Sequence, residues 1–208
     1  MRVRKHVNPL NYQKDFENLS ESVFNKENID INLEIGCAHG EFVTKLAKLN
    51  QNKKFIGFEI RKSLAVKIQD QIEADDIQNL EVYYASSNTR VVNFPPLSIS
   101  NVYVFFPDPW FKKRHHKRRI LSSLFLNDIK TKLKGKNNIL FQTDVKDLFD
   151  DTKILIEQDS DYKINFIKED AKAINHTGVA SYHEQRCLAN GWPIYRMDFS
   201  YIATKLTV

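Results

Sequence analysis

Short apolar runs alternating with segments of helical period limit most strongly what this chain can fold into. Ile29–Ile35 reads as a strand running into a glycine turn, after which Phe42, Val43, Leu46, Ala47 and Leu49 fall near one helical face. Lys53–Glu59 predicts a second strand, and residues 62–74 a second helix with Leu64, Ala65, Ile68 and Ile72 on one side. Leu80–Ala85 and Asn101–Phe106 read as further strands, the latter after the Pro95-Pro96 turn. Then come a helix over Ile120–Leu133, a strand over Asn138–Thr143 and a helix over Val145–Glu157. Tyr162–Ile167 and Tyr195–Ile202 are candidate final strands, and residues 171–193 read as irregular and polar. This alternation implies an α/β domain with a mainly parallel sheet. In such sheets ligands sit at the carboxyl ends of strands. That rule places Glu34 to Gly40, Glu59, Ser86 to Asn88 and Asp108 along one edge.

A chain of 208 residues is long enough for one sizeable core and short for two domains. We expect an N-terminal arm over residues 1–28, basic at Arg2, Arg4 and Lys5, and one domain over 29–208. The two cysteines, Cys37 and Cys187, lie far apart and form no CxxC, which suits reduced thiols in the cytoplasm. No run approaches a membrane span, and no Cys/His spacing resembles a zinc site, so neither membrane nor metal is expected. Monomer and homodimer are equally compatible with the sequence.

The glycine turn reads Gly36-Cys37-Ala38-His39-Gly40, a spacing unlike the G-x-G-x-x-G that cradles a pyrophosphate. Glu34 before it and Glu41 after it favour a cation over a phosphate. S-adenosylmethionine carries a sulfonium and an ammonium and no phosphate. Glu59 lies nineteen residues beyond Gly40, where such folds place the acid that binds a ribose diol. A strand-to-helix turn also needs glycine for purely structural reasons.

Asp108 stands between Pro107 and Pro109, which restrict the backbone on both sides, and Phe105, Phe106, Trp110 and Phe111 form an aromatic surface around it. Residues 112–119 follow, six of the eight being Lys or Arg and the others His115 and His116, against a net charge of +5 for the whole chain. Such a cluster neutralises nucleic-acid phosphates; a solvated helix start is the plainer reading. Asp144 follows the fifth strand as a candidate site acid or helix cap, and Ser181-x-x-Glu184 is equally a capping box.

Leu33-Glu34-Ile35-Gly36…Gly40-Glu41-Phe42, Gly57-Phe58-Glu59, the block from Phe106-Pro107-Asp108-Pro109-Trp110 to Arg119, Gln142-Thr143-Asp144 and Ser181-x-x-Glu184 occur in order. Together with Arg4 to Leu10, this set resembles the bacterial tRNA (guanine-N7)-methyltransferases over nearly the whole chain. The resemblance implies a Rossmann-like, seven-stranded methyltransferase sheet with helices on both faces. It implies transfer of a methyl group from S-adenosylmethionine to N7 of a guanosine in the tRNA variable loop. It places Glu34, Gly36, Gly40, Glu59, Ser86, Asn88 and Asp108 at the cofactor, with Asp108 as the catalytic candidate. Lys112, Asp144, Ser181 and Glu184 become guanosine contacts, and Lys113, Arg114, Lys117, Arg118 and Arg119 contacts to the tRNA backbone. The chain departs from the family at Ala38 and Ser181, where Gly and Thr are usual, and at Ser86-Ser87-Asn88, where either Ser86 or Asn88 takes the adenine side. A nicotinamide-dependent oxidoreductase lacks its fingerprint here. A non-catalytic RNA-binding protein on a degenerate methyltransferase fold is the remaining alternative.

Overall fold

The computed structural model describes residues 30–86 and 91–202. The expected arm over residues 1–28 and the candidate Asn88 lie outside the described residues. Seven strands, β1 (Ile31–Ile35), β2 (Lys54–Glu59), β3 (Leu80–Tyr84), β4 (Ile99–Phe105), β5 (Leu133–Thr143), β6 (Tyr162–Lys168) and β7 (Tyr195–Tyr201), form one sheet in the order β3-β2-β1-β4-β5-β7-β6. β1 to β5 pair in parallel, and β7 runs antiparallel between β5 and β6. This is the expected methyltransferase-type sheet.

Every residue of β1 is buried, as a central parallel strand covered on both faces requires. Ile31, Leu33 and Ile35 share one core with Phe125, Leu126 and Phe149, which lie on helices α3 (Ser123–Lys130) and α4 (Lys146–Glu157). On the other face Phe55, Val82 and Tyr103 pack with Phe42, Leu46 and Ile68 of α1 (Glu41–Leu49) and α2 (Lys62–Ala74). Strand alternation therefore aims Glu34 into the α1 and α2 layer. The parallel register pairs Ile35 with Phe58 and Val104, and Phe105 with Gln142, so the strand ends align along one edge.

Three elements differ from the sequence expectation. The helix expected over Ile120–Leu133 is shorter, because Ser122 accepts the Phe125 N–H at 3.3 Å and caps α3 at Ser123. β5 begins at Leu133, extending through a polar stretch. Within the stretch expected to be irregular lies α5 (Tyr182–Asn190). Its buried residues are Glu184 and Cys187, so it carries no apolar period to reveal it.

Candidate active site at the carboxyl edge of the sheet

Two acids form the floor of the edge. Glu34 is 3% exposed; it accepts the Val43 N–H, while its Oε2 has no hydrogen-bond partner among the described residues. Burial, reinforced by the Glu59 charge and opposed by the Val43 N–H, pushes its pKa from 4.5 up to about 8. Glu59, equally buried, is fully engaged: Oε1 accepts the Arg61 backbone N–H at 2.9 Å and Nε at 2.8 Å, and Oε2 accepts the Ala38 N–H at 2.8 Å. Burial and both acids also push the Cys37 thiol up, keeping it protonated.

The turn between them is left-handed at Gly36 (φ 77°), Ala38 (φ 52°) and Gly40 (φ 75°). A Cβ at Gly40 would sit 2.8 Å from Ile68 Cγ2, so this glycine lets α1 close on α2. A Cβ at Gly36 would meet nothing within 4 Å, which leaves open space above the turn. Ala38 holds a conformation that costs a non-glycine residue roughly 1–2 kcal/mol. The consequence of having alanine here is thus backbone strain. Ser86, just past β3, is buried.

The Phe106–Trp110 segment is strained at both ends. Phe106 (φ 50°) and Trp110 (φ 47°) are left-handed, a rare state for aromatic residues. The Phe106 N–H donates to the Gln142 carbonyl at 2.7 Å, anchoring the segment to β5. Asp108 is half-buried between the strained residues, and its charge reaches Arg61. Such strain concentrates where surrounding structure fixes a functional geometry.

On the β5 side Asp144 Oδ2 lies 3.0 Å from His183 Nε2, and the His183 ring is 4.7 Å from that of Phe106. Asp144, His183 and Cys187 together bring a carboxylate, an imidazole and a thiol within 4.8 Å of one another, a donor set able to hold a transition metal. Spacing along the chain does not show this, because Asp144 comes from a strand end and the others from α5.

Ser181 and Glu184, expected as guanosine contacts, are engaged within the fold. Glu184 is fully buried: it accepts the Asn175 N–H and Nδ2 at 2.8 Å each, and pairs with Arg196 at 2.9 Å. Ser181 closes a capping box with it. Both hold α5 and the preceding loop against β7.

The basic run is a 3-10 helix, Lys113–Arg118, with Lys112 before it. Lys112, Lys113, Arg114 and Lys117 are exposed. Arg118 lies 4.9 Å over the Trp110 ring with its Nε buried, and Arg119 donates to the Pro109 carbonyl at 2.9 Å and to Asp151 at 2.6 Å. Arg118 and Arg119 therefore brace the Asp108 segment, and the exposed four face solvent. His115 is shifted toward neutrality by desolvation and the surrounding cations. Arg61 and His183 received no role from the sequence; the signals were an arginine two residues past a strand-end acid and a histidine beside Glu184.

Residues 28–197 match the family described as "Putative methyltransferase". The chain is 31% identical to a tRNA (guanine-N(7)-)-methyltransferase of Prochlorococcus marinus subsp. pastoris, covering 96% of this chain and 100% of that protein. It is 32% identical to one of Streptococcus gordonii, over 81% and 79% of the two chains. Among solved structures, a 16S rRNA methyltransferase superposes with a TM-score of 0.65 at 15% identity, over 89% of this chain and 95% of that one, a likeness of fold.

Proposed function

This chain belongs to the family of tRNA (guanine-N7)-methyltransferases, and on that premise we propose that it methylates a guanosine in the tRNA variable loop, in the cytoplasm. It is an S-adenosylmethionine-dependent enzyme that modifies tRNA at guanosine N7. The observation that carries the reading is the buried Glu34 Oε2, without a hydrogen-bond partner among the described residues, on the strand that leads into a glycine turn open at Gly36. A carboxyl with one unsatisfied oxygen suits a cationic ligand, which holds it ionised, and in that form repels a phosphate.

S-adenosylmethionine supplies, when bound, a methyl group activated on a sulfonium. Glu34 and the turn at Gly36, Ala38 and Gly40 hold its charged end. Glu59 takes the ribose hydroxyls once the half-exposed Arg61 guanidinium moves off it, and Ser86 borders the adenine side. Guanine N7 has a lone pair and no proton, so no general base is required. The residues' task is alignment, which alone removes much of a bimolecular barrier. Asp108, fixed between Phe106 and Trp110, is the aligning acid. Asp144, oriented by His183, accepts the guanine N1 and N2 hydrogens. Lys112 reaches the guanosine, and Lys113, Arg114 and Lys117 bind the tRNA backbone beside Asp108. Among the described residues, no helix is long and apolar enough to cross a membrane.

Incubating an unmodified tRNA transcript with labelled methyl donor, then mapping 7-methylguanosine by mass spectrometry, tests both levels. A labelled variable-loop guanosine is expected. Product elsewhere in the tRNA overturns the position, and absence of 7-methylguanosine overturns the activity.

A further inference from the structure

The outer face of α5 carries a feature that the site above does not use. Tyr182 and Arg186 stand four residues apart, one helical turn, with the guanidinium 6.0 Å from the Tyr182 ring centroid. The same guanidinium lies 5.7 Å from the Trp192 ring. Trp192 returns to this position because Gly191 ends the helix left-handed (φ 66°), and the Trp192 N–H donates to the Cys187 carbonyl at 2.9 Å. The result is an alternation of aromatic ring, guanidinium and aromatic ring. Tyr182 is 51% and Trp192 41% exposed, far more than two such rings need for packing alone.

The ladder is continuous with the proposed site at both of its walls. The Tyr182 ring lies 6.4 Å from that of His39, which belongs to the glycine turn. The next residue, His183, turns inward to Asp144 and Phe106. One helix thus presents an inner face to the target base and an outer face to whatever adjoins it.

We propose that Tyr182, Arg186 and Trp192 form a stacking platform for an unpaired base of tRNA next to the methylated guanosine. The proposal rests on the tRNA-methylating reading of the site. Exposed aromatic faces interleaved with arginine are what single-stranded nucleic acid stacks on, whatever the base. A guanosine taken into the edge must leave its stack, and its neighbours lose a stacking partner. A platform at the mouth replaces that partner and discriminates loops, whose bases can splay, from paired stems.

The test uses the full chain and unmodified tRNA transcript. Trp192→Ala and Tyr182→Ala should each raise the KM for tRNA about tenfold, a typical loss for one stacked base. Turnover at saturation and calorimetric affinity for S-adenosylmethionine should stay unchanged. Trp192→Phe and Tyr182→Phe, which keep a ring, should restore KM. The chain has two tryptophans, so a Trp110→Phe background leaves Trp192 as the sole indole emitter. Its emission should be quenched by a tRNA loop and unaffected by a fully paired duplex. Unchanged KM in both alanine variants, or equal quenching by duplex and loop, overturns the platform. A changed sedimentation coefficient in Trp192→Ala with unchanged KM would assign the surface to a protein contact, also against it. Loop-specific quenching in the Trp110→Phe background, alongside a wild-type protein that makes no 7-methylguanosine, supports the platform and overturns the activity, so the two failures are distinguishable.

Discussion

If Glu34 holds the charged end of the cofactor as proposed, cofactor binding is coupled to loss of a proton from this carboxyl. Its pKa of about 8 leaves it about nine-tenths protonated at pH 7. A cation bound against Oε2 holds it ionised, so binding at pH 7 should release about 0.9 proton from this group. Isothermal titration in buffers of differing ionisation enthalpy reads that number, and Glu34→Gln supplies the reference in which the ligand's own amine still titrates. Wild-type affinity, normalised to Glu34→Gln, should rise about tenfold per pH unit up to pH 8 and then level off. Stability moves the other way. With the folded pKa above the unfolded value, the native state binds the extra proton, so this contribution is full below about pH 4.5 and is lost as pH rises toward 8. The gap between 4.5 and about 8, at about 1.4 kcal/mol per pH unit, sets a ceiling of roughly 5 kcal/mol. Glu34→Gln should accordingly exceed wild type in urea denaturation at pH 8, the gap closing toward pH 5. Equal proton release by the two proteins, or parallel stability profiles, would refute the reasoning.

Arg61→Ala removes the group that occupies Glu59, so cofactor affinity should increase about tenfold, in line with displaced charge-assisted hydrogen bonds; weaker binding would show that Arg61 holds the ligand instead. Glu184→Ala strips Arg196 of its buried partner and should cost roughly 3–5 kcal/mol in chemical denaturation. A stable Glu184→Ala with a selective loss of guanosine affinity would return that residue to the substrate. Asp108→Ala should reduce turnover far more than tRNA binding, and equal losses would remove it from alignment. Replacing Lys113, Arg114 and Lys117 with Gln should flatten the salt dependence of tRNA binding by roughly one unit of log–log slope per lost phosphate contact. Arg119→Gln should lower stability with little effect on that slope.

The strand ends and their acids are legible because a parallel sheet imposes its own pattern: buried runs, glycine turns, and polar groups where strands stop. Glu34, Glu59, Asp108 and Asp144 follow from that rule. The sequence does not distinguish a charge offered to a ligand from one consumed by the fold. Arg119 looks like its neighbours in the basic run, yet Asp151, thirty-two residues later, claims it. Ser181-x-x-Glu184 fits both a capping box and a substrate contact in the sequence; the structure adds the capping box and the partners Asn175 and Arg196, which spacing does not reveal. α5 is hidden in the sequence because an acid and a cysteine fill its buried face. The strain at Phe106 and Trp110 was equally hidden, since the two prolines restrict the backbone but do not force their aromatic neighbours into left-handed conformations.

The insertion of β7 between β5 and β6 bears on the order in which the molecule is completed during synthesis. β1 to β4 acquire all their sheet neighbours once β5 has been made, so the cofactor half can assemble while the rest is still being translated. β6 emerges with no strand to join, because its partner is β7, which comes last among the described strands. Arg196, the counter-charge of Glu184, arrives on that same strand. A stalled or shortened nascent chain would therefore expose the β5 edge and an unpaired β6 to other polypeptides. The half proposed to receive the methyl donor matures early, and the half proposed to hold guanosine is completed only when β7 slots home.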